Sequence, residues 1–369
     1  MILFATAAAG TEGALRDELR ELRFRRVRAT RGGVGFEGDL AEALRACLWS
    51  RIALRVLVQV GEFDAPDRDV LYEGVHAIDW APHVSPRQTL AVSASCKQSA
   101  LTDDGYVARK TKDAIVDRIR GSSTARPSVD AKDPDVRIVV HLAKNHATVH
   151  LDVSGESLHR RGWRADALEA PLRETLAAAV LRLSGWDRKV PLCDPMCGSG
   201  TIPIEADLWA RGVAPGLGRD RFGALRWASA DDALRSKFAE LRAEAEAAAL
   251  PDGPDVFASD FDPRAIELTR KNALGAGAHV RVSLAPVTAL RPLSPPGFVV
   301  SNPPYGERIS GAKDLYRGMA QTLLGLRGHT ICLLSGSPDV EWAFRVRPTM
   351  RQSLFNGPID CKLLKYDVG

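Results

Sequence analysis

The chain has 369 residues, 45% apolar and 26% charged, with a formal net charge of +4 at pH 7. That is ordinary globular composition, long enough for two or three domains with cores of their own and too apolar for a disordered chain. The first ten residues, Met1 to Gly10, are a short apolar stretch with no basic lead; neither a signal peptide nor a membrane span is expected, and the expectation is a soluble, cytoplasmic protein.

Taken in chain order, arginines bunch first between Arg16 and Arg31 and again between Arg160 and Arg164. Such clusters fit phosphate binding, and equally a solvated face. Alternating and β-branched stretches at Ala53–Val60, Thr89–Ser95, Val136–Leu142 and Ala147–Val153 predict strands, the last two joined by the polar turn Lys144-Asn145-His146 as a hairpin. Between them Tyr106 to Gly121 predicts a helix with Val107, Ile115 and Ile119 on its buried face and Lys110, Lys112 and Arg118 elsewhere, stopped at Gly121. The first 160 or so residues form an α+β region with basic helix surface.

From about Ala165 the rhythm changes to strand and helix in turn. Strands are expected at Val190–Cys193, Val256–Ser259, Val280–Leu284, Phe298–Ser301 and Thr330–Leu334. Helices are expected at Leu172–Leu183, Ile202–Arg211, Pro263–Leu274 and Leu315–Leu326, with an alanine-rich one at Leu234–Leu250. Alternation of this kind predicts a parallel, doubly wound sheet whose ligands bind beyond the carboxyl ends of its strands. Two further strands, Met350–Phe355 and Cys361–Val368, joined by Asn356-Gly357-Pro358, close the sheet with a hairpin. The cysteines at 47, 96, 193, 197, 332 and 361 include no zinc-finger spacing, so reduced, buried thiols and no metal are expected.

After the strand ending at Cys193 comes D-P-M-C-G-S-G-T, a glycine turn opening a helix, in which Gly198 and Gly200 let backbone pass close to a ligand. The charge of Asp194 decides between ligands. A carboxylate there repels the pyrophosphate of a dinucleotide and attracts the methionyl ammonium of S-adenosylmethionine, and Pro203 replaces the third glycine of the dinucleotide pattern. The next strand runs into Asp260-Phe261-Asp262: Asp260 is placed to accept both ribose hydroxyls, Phe261 to cover the adenine, and Asp262 to cap the helix starting at Pro263.

The strand Phe298–Ser301 runs into Asn302-Pro303-Pro304-Tyr305, where two prolines end the ladder. Exocyclic and amide nitrogens are poor nucleophiles because their lone pair is delocalised. The Asn302 side-chain carbonyl and the Pro303 main-chain carbonyl can grip the two N–H hydrogens of such a group and aim its nitrogen, while Tyr305 stacks on the flat ring that carries it.

Together L-D-V-S-G-E-S-L-H-R-R-G-W-R, A-P-L-R-E-T-L-A-A-A-V, D-P-M-C-G-S-G-T, S-N-P-P-Y-G-E-R and N-G-P-I-D-C resemble the THUMP-containing RNA guanine-N2 methyltransferases over nearly the whole chain, most closely those acting on 23S rRNA. The resemblance implies a ferredoxin-like region at 1–55, a THUMP RNA-binding domain at 56–155, a linker at 156–170 and a Rossmann-like class I methyltransferase domain at 171–369. It implies S-adenosylmethionine as cofactor, held by Glu174, Thr175, Asp194, Pro195, Met196, Cys197, Gly198, Ser199, Gly200, Thr201, Asp260, Phe261 and Asn302. It implies a catalytic role for Asn302, Pro303, Pro304 and Tyr305, and a guanine in domain V of the large-subunit rRNA as substrate. Relatives tend to carry an acidic residue for the adenine amine where this chain has Leu284-Ala285-Pro286-Val287, so adenine recognition is expected to rest on backbone groups or Phe261. Some also carry a second, fused methyltransferase absent from this sequence, and a single modification is expected.

A target base must leave its stack to reach a pocket at strand ends, so RNA contacts elsewhere have to offset the unstacking. Lys97, Arg109, Lys110 and Lys112, with Arg160, Arg161 and Arg164 of the linker, are the candidate contacts; Trp163 is expected to pack. Three other readings stay open at this point: a tRNA guanine-N2 methyltransferase, a protein-glutamine methyltransferase, since the same clamp suits a side-chain amide, and a non-catalytic RNA-binding factor.

Overall fold

The computed structural model describes residues 1–121, 126–164, 172–305 and 312–369. Residues 165–170 of the expected linker, and Gly306, Glu307 and Arg308 of the S-N-P-P-Y-G-E-R motif, lie outside the described residues.

The amino-terminal half builds β1 (Ile2–Thr6), α1 (Glu12–Glu21), β2 (Arg25–Thr30), β3 (Gly33–Glu37), α2 (Leu40–Trp49), β4 (Arg55–Asp64), α3 (Arg68–Ala77), β5 (Thr89–Lys97), α4 (Asp104–Arg120), β6 (Ser128–Val129), β7 (Val136–Ala143) and β8 (His146–Asp152). Its strands form one eight-stranded sheet in the order β2-β3-β1-β4-β8-β7-β5-β6. The long strand β4 joins the halves of that sheet, pairing with β1 on one side and β8 on the other. The β7–β8 hairpin turns on Lys144 and Asn145, both left-handed at φ 54° and 62°, as a two-residue turn matched to strand twist requires.

The carboxyl-terminal half runs α5 (Glu174–Ser184), β9 (Leu192–Asp194), α6 (Thr201–Ala210), α7 (Asp232–Ala247), β10 (Val256–Asp260), α8 (Pro263–Ala276), β11 (Val280–Leu284), β12 (Phe298–Ser301), α9 (Ala312–Leu324), β13 (Thr330–Ser335), α10 (Pro338–Phe344), β14 (Met350–Asn356) and β15 (Ile359–Asp367). The sheet order is β11-β10-β9-β12-β13-β15-β14, with the last two strands antiparallel to the rest of the sheet or to each other. Strand order therefore reverses between β9 and β12, and the crevice beyond their carboxyl ends is where such a sheet takes its ligand. This is the expected α/β doubly wound sheet with a terminal hairpin, preceded by an α+β region.

The two halves share a core. Phe222, Trp227 and Phe238, which follow α6 in the chain, pack into the same buried cluster as Val56 and Val58 of β4 in the first sheet. A buried ion network reinforces the junction: Arg161 Nε donates to Glu205 Oε1 at 3.1 Å, Arg51 approaches Glu205 Oε2 at 3.7 Å, and Arg161 also donates to the Arg51 carbonyl. Trp163 packs on Ile204, Leu208 and Ala273, as expected for a linker residue.

Candidate active site

Asp194, 2% exposed, closes β9, and the chain then turns through Pro195 to Gly200 into α6. Both glycines of the turn are left-handed, for different reasons. A Cβ on Gly200 would lie 2.8 Å from Thr269 Cγ2 of α8, so that glycine serves close packing, whereas a Cβ on Gly198 (φ +55°) would meet nothing within 4 Å, so space lies open above it.

Every side of the turn is tied down. Asp260 at the end of β10 accepts from the Gly198 amide (3.0 Å) on one carboxylate oxygen and from the Asp262 amide (3.1 Å) on the other. From α8, Thr269 donates to the Gly198 carbonyl and Asn272 to the Ser199 carbonyl, each at 2.9 Å. Arg164 reaches in from the linker and donates to Ser199 Oγ (3.0 Å), Thr201 Oγ1 (2.8 Å) and Glu174 Oε1 (2.7 Å). Cys197 packs with Ala258 and Ile266, and burial pushes its thiol up, so it is a core residue rather than a nucleophile. Met196 packs against the cluster around Val287, the first residue of a short 3₁₀ turn beyond β11. Asp262 accepts from the Arg264 amide ahead of Pro263, the helix cap read from the sequence.

The second wall of the crevice hangs from β12. Ser301 Oγ donates to Asp194 Oδ1 at 2.6 Å, which also accepts from the Met196 amide at 3.2 Å, so the ends of β9 and β12 are held together across the switch point. Burial pushes the Asp194 carboxyl up to about 7. One residue on, Asn302 Oδ1 is shielded from solvent and has no hydrogen-bond partner among the described residues. A buried acceptor left in this state costs about 1–3 kcal/mol, and its natural partner is a donor brought by a ligand. The Tyr316 hydroxyl donates to the Pro304 carbonyl at 2.7 Å and fixes the turn.

Tyr305 is positioned by the hairpin. Asn356 Nδ2 donates to its hydroxyl at 2.8 Å, Cys361 Sγ lies 3.7 Å away, and burial pushes the hydroxyl up to about 12, so it stays protonated. Gly336, just beyond β13, packs closely against the ring: a Cβ there would lie 2.8 Å from Tyr305 Cδ2.

These residues fit S-adenosylmethionine: open space over a left-handed glycine, carboxylates at the ends of two adjacent strands, an apolar ring at Phe261 that is 73% exposed, and an orphan acceptor at the far wall. Residues 161–365, more than half of the chain, match the family described as RMKL-like, methyltransferase domain. The chain belongs to that family. Within this methyltransferase, residues 2–57 match the RlmL ferredoxin-like domain and residues 65–152 the THUMP domain. It is 43% identical over 376 residues to the ribosomal RNA large subunit methyltransferase K/L of Methylococcus capsulatus, an alignment covering 99% of this chain and 51% of that protein. The chain spans about half the length of the curated relatives it matches. Among solved structures, a putative methyltransferase complexed with SAH is 33% identical with a TM-score of 0.89, covering 100% of this chain and 98% of that one. A possible methylase from Clostridium difficile 630 is 28% identical with a TM-score of 0.91, covering 100% and 98%.

Hydrogen bonds link Glu174 through Arg164 to Ser199 and Thr201, Asp260 to Gly198, and Ser301, the neighbour of Asn302, to Asp194, while Thr175 and Phe261 adjoin Glu174 and Asp260 in the chain of the methyltransferase. The structure corrects two of the expected RNA contacts. Arg161 is 3% exposed and spends its guanidinium on Glu205 and on the carbonyls of Leu158 and Arg51, so it is an internal strut. Arg164 is committed to the cofactor turn and to Glu174, which its position beside Arg160 and Arg161 in the sequence conceals. Arg160 is exposed, with a salt bridge to Glu156 at 3.3 Å. Lys97 and Arg109 are exposed; Lys110 lies over the Tyr72 ring and Lys112 pairs with Asp113. Tyr316 and Gly336 carry no readable signal in the linear sequence, and Ser301 and Asn356 stand there inside motifs without a role of their own.

Proposed function

We propose that the chain transfers a methyl group from S-adenosylmethionine to the exocyclic N2 of a guanine in 23S rRNA. The observation that carries this reading is the buried Oδ1 of Asn302, which has no partner among the described residues, one residue beyond the Ser301–Asp194 tether between the two strand ends. The curated relatives at about 40% identity that are named as large-subunit rRNA methyltransferases, and the THUMP match, support RNA as the acceptor.

The donor, when bound, supplies a methyl carbon activated by a sulfonium, with a neutral thioether as leaving group. The chain's own residues do the rest. Asp194 and Asp260 hold the donor by its ammonium and its ribose hydroxyls, and Phe261 covers its adenine. Asn302 Oδ1 and the Pro303 carbonyl accept the two N–H hydrogens of the target amine, which orients the nitrogen and stabilises positive charge as it develops there. Tyr305, packed against Gly336 and held at its hydroxyl by Asn356, offers its ring to the extruded base. No side chain has to act as base, because the methylated amine gives its extra proton to water.

The test supplies radiolabelled S-adenosylmethionine with unmodified 23S rRNA, tRNA and a protein extract, and resolves nucleosides after digestion. N2-methylguanosine from rRNA, lost with Asn302→Ala, is the expected result. Label confined to tRNA, or resistant to nuclease, would overturn it in favour of a tRNA or a protein-amide substrate.

A further inference from the structure

A cleft of about 680 Å³ opens where the linker, the segment between β6 and β7, the start of α5 and the loop 218–226 meet. Among its described lining residues are nine lysine and arginine side chains and four aspartates and glutamates. Cations therefore outnumber acids in the lining by more than two to one.

Part of the charge is structural. Arg219 is buried and donates to the carbonyls of Ser154, Ser157, Arg160 and Glu156, while Arg226 clasps Asp133 and Asp135 across the junction. The rest faces the cleft. Lys132 and Arg173 are exposed, Arg221 is exposed with a 3.1 Å bridge to Asp133, and Arg137 carries a buried Nε with no partner among the described residues. His159 in the cleft wall is driven down to about 4, first by burial and then by Arg173, Arg160, Arg161 and Arg164, so it adds no charge but registers how cationic the space is. The cleft also borders the cofactor turn, because Arg164 and Glu174 line it and Arg164 bonds to Ser199 and Thr201 of that turn.

We infer that this interdomain cleft holds the phosphodiester backbone of the substrate RNA next to the target nucleotide, with Lys132, Arg137, Arg173 and Arg221 as the residues that grip it. The inference rests on the rRNA reading above and deepens it. It gives the extruded base a nearby anchor, so that phosphate binding offsets unstacking close to where the unstacking occurs. A single strand fits better than a duplex, because the walls come from four segments around a concave space rather than from one projecting element.

The test measures equilibrium binding of the full chain to a 23S rRNA transcript across a salt series, with donor binding and thermal melting as controls. Lys132→Glu/Arg221→Glu is expected to weaken RNA binding by about tenfold or more and to flatten the log–log salt dependence by about 0.7 for each phosphate no longer neutralised. Donor binding should stay unchanged. Lys132→Gln/Arg221→Gln, which keeps size and polarity, should fall between the two and guards against misfolding. An active parent whose variants keep the full affinity and salt slope overturns the cleft and leaves the rRNA reading standing. A parent that neither binds nor methylates RNA overturns both. Polyglutamate that binds the parent as tightly as the RNA does, and weakens equally in the variants, overturns the cleft's assignment to RNA in favour of an acidic protein partner.

Discussion

The linker arginines and the cations of α4 carry the same charge in opposite circumstances. Arg161 and Arg164 have nearly all their donors committed to carbonyls, carboxylates and hydroxyls of their own chain, whereas Arg109 of α4 stands in solvent, as does Lys97 at the nearby end of β5, and Lys110 of α4 rests on the Tyr72 ring. In the first region each guanidinium fixes a geometry that nothing else supplies. In the second, the charges act together through a screened field, and no single one decides the outcome. Substitutions should therefore be abrupt around the crevice and graded on α4.

The sharpest contrast is expected at Arg161. Arg161→Ala leaves Glu205, 1% exposed, buried with only the 3.7 Å approach of Arg51, and breaking a buried pair from one side costs about 3–5 kcal/mol. Denaturant unfolding should show that loss, and the folded fraction should bind RNA as the parent does. Unchanged stability with weakened RNA binding would return Arg161 to the RNA-binding residues.

Asn302→Ala comes next, and its signature is a split. Removing an acceptor that acts on the reacting amine should lower kcat by about 10²- to 10³-fold. Because that acceptor has no partner among the described residues, the melting temperature should hold or rise, since a desolvation cost disappears with it. A large fall in both activity and stability would mean that Asn302 is a structural residue.

How far the sequence reveals these two regions follows from the range of the forces involved. β11 and β12 begin and end at the predicted residues because β-branched runs and bounding prolines are local signals. The helix cap at Asp262 and the hairpin turn at Lys144-Asn145 are local as well. The elements before β4 are less legible. β2 reads R-R-V-R-A-T, with only Val27 buried and a register shift between Arg25 and Arg28, so its pattern is that of a charged loop. α2 carries a readable sign, the Asp39/Glu42 capping box, which an emphasis on arginine clusters passes over. Arg164 is the instructive case. Its partners lie 10, 35 and 37 residues away, and no window of sequence connects them. Tyr305 is similar: its motif announces an aromatic ring, but how the ring is held depends on Gly336 and on Asn356, 51 residues on.

A smaller effect, in pH, sharpens the comparison within the crevice. Burial holds the Asp194 carboxyl at about 7, above its ordinary value of 3.8, and an ammonium ligand requires the ionised form. Donor affinity should therefore rise with pH up to about 7 and level off above it, by as much as tenfold per pH unit below that point, and Asp194→Asn should abolish the dependence. The folding balance runs the other way. A carboxyl whose folded value is raised contributes stability that is present below 3.8 and lost as pH rises toward 7, so the donor-free protein should lose stability over that window, and Asp194→Asn should flatten the loss. Donor affinity that does not respond to pH between about 6 and 8, measured by titration calorimetry, would remove Asp194 from contact with the ammonium.

The smallest effect belongs to α4 and decides whether the contrast holds at all. Lys110 sits with its Nζ 4.7 Å from the Tyr72 ring centroid, and the Tyr72 hydroxyl donates to Asp117, so the ammonium is half-buried on its stem side and open at its head. If it contacts a phosphate, Lys110→Gln should weaken RNA binding only a few-fold at physiological salt and lower the log–log salt slope by about 0.7. The rate at saturating RNA should stay at the parent value, because a phosphate contact far from the reacting atoms lowers substrate and transition state alike. A loss of kcat there as large as that for Asn302→Ala would show that α4 takes part in placing the base, and the division between a committed crevice and a diffuse cationic face would fail at its weaker end.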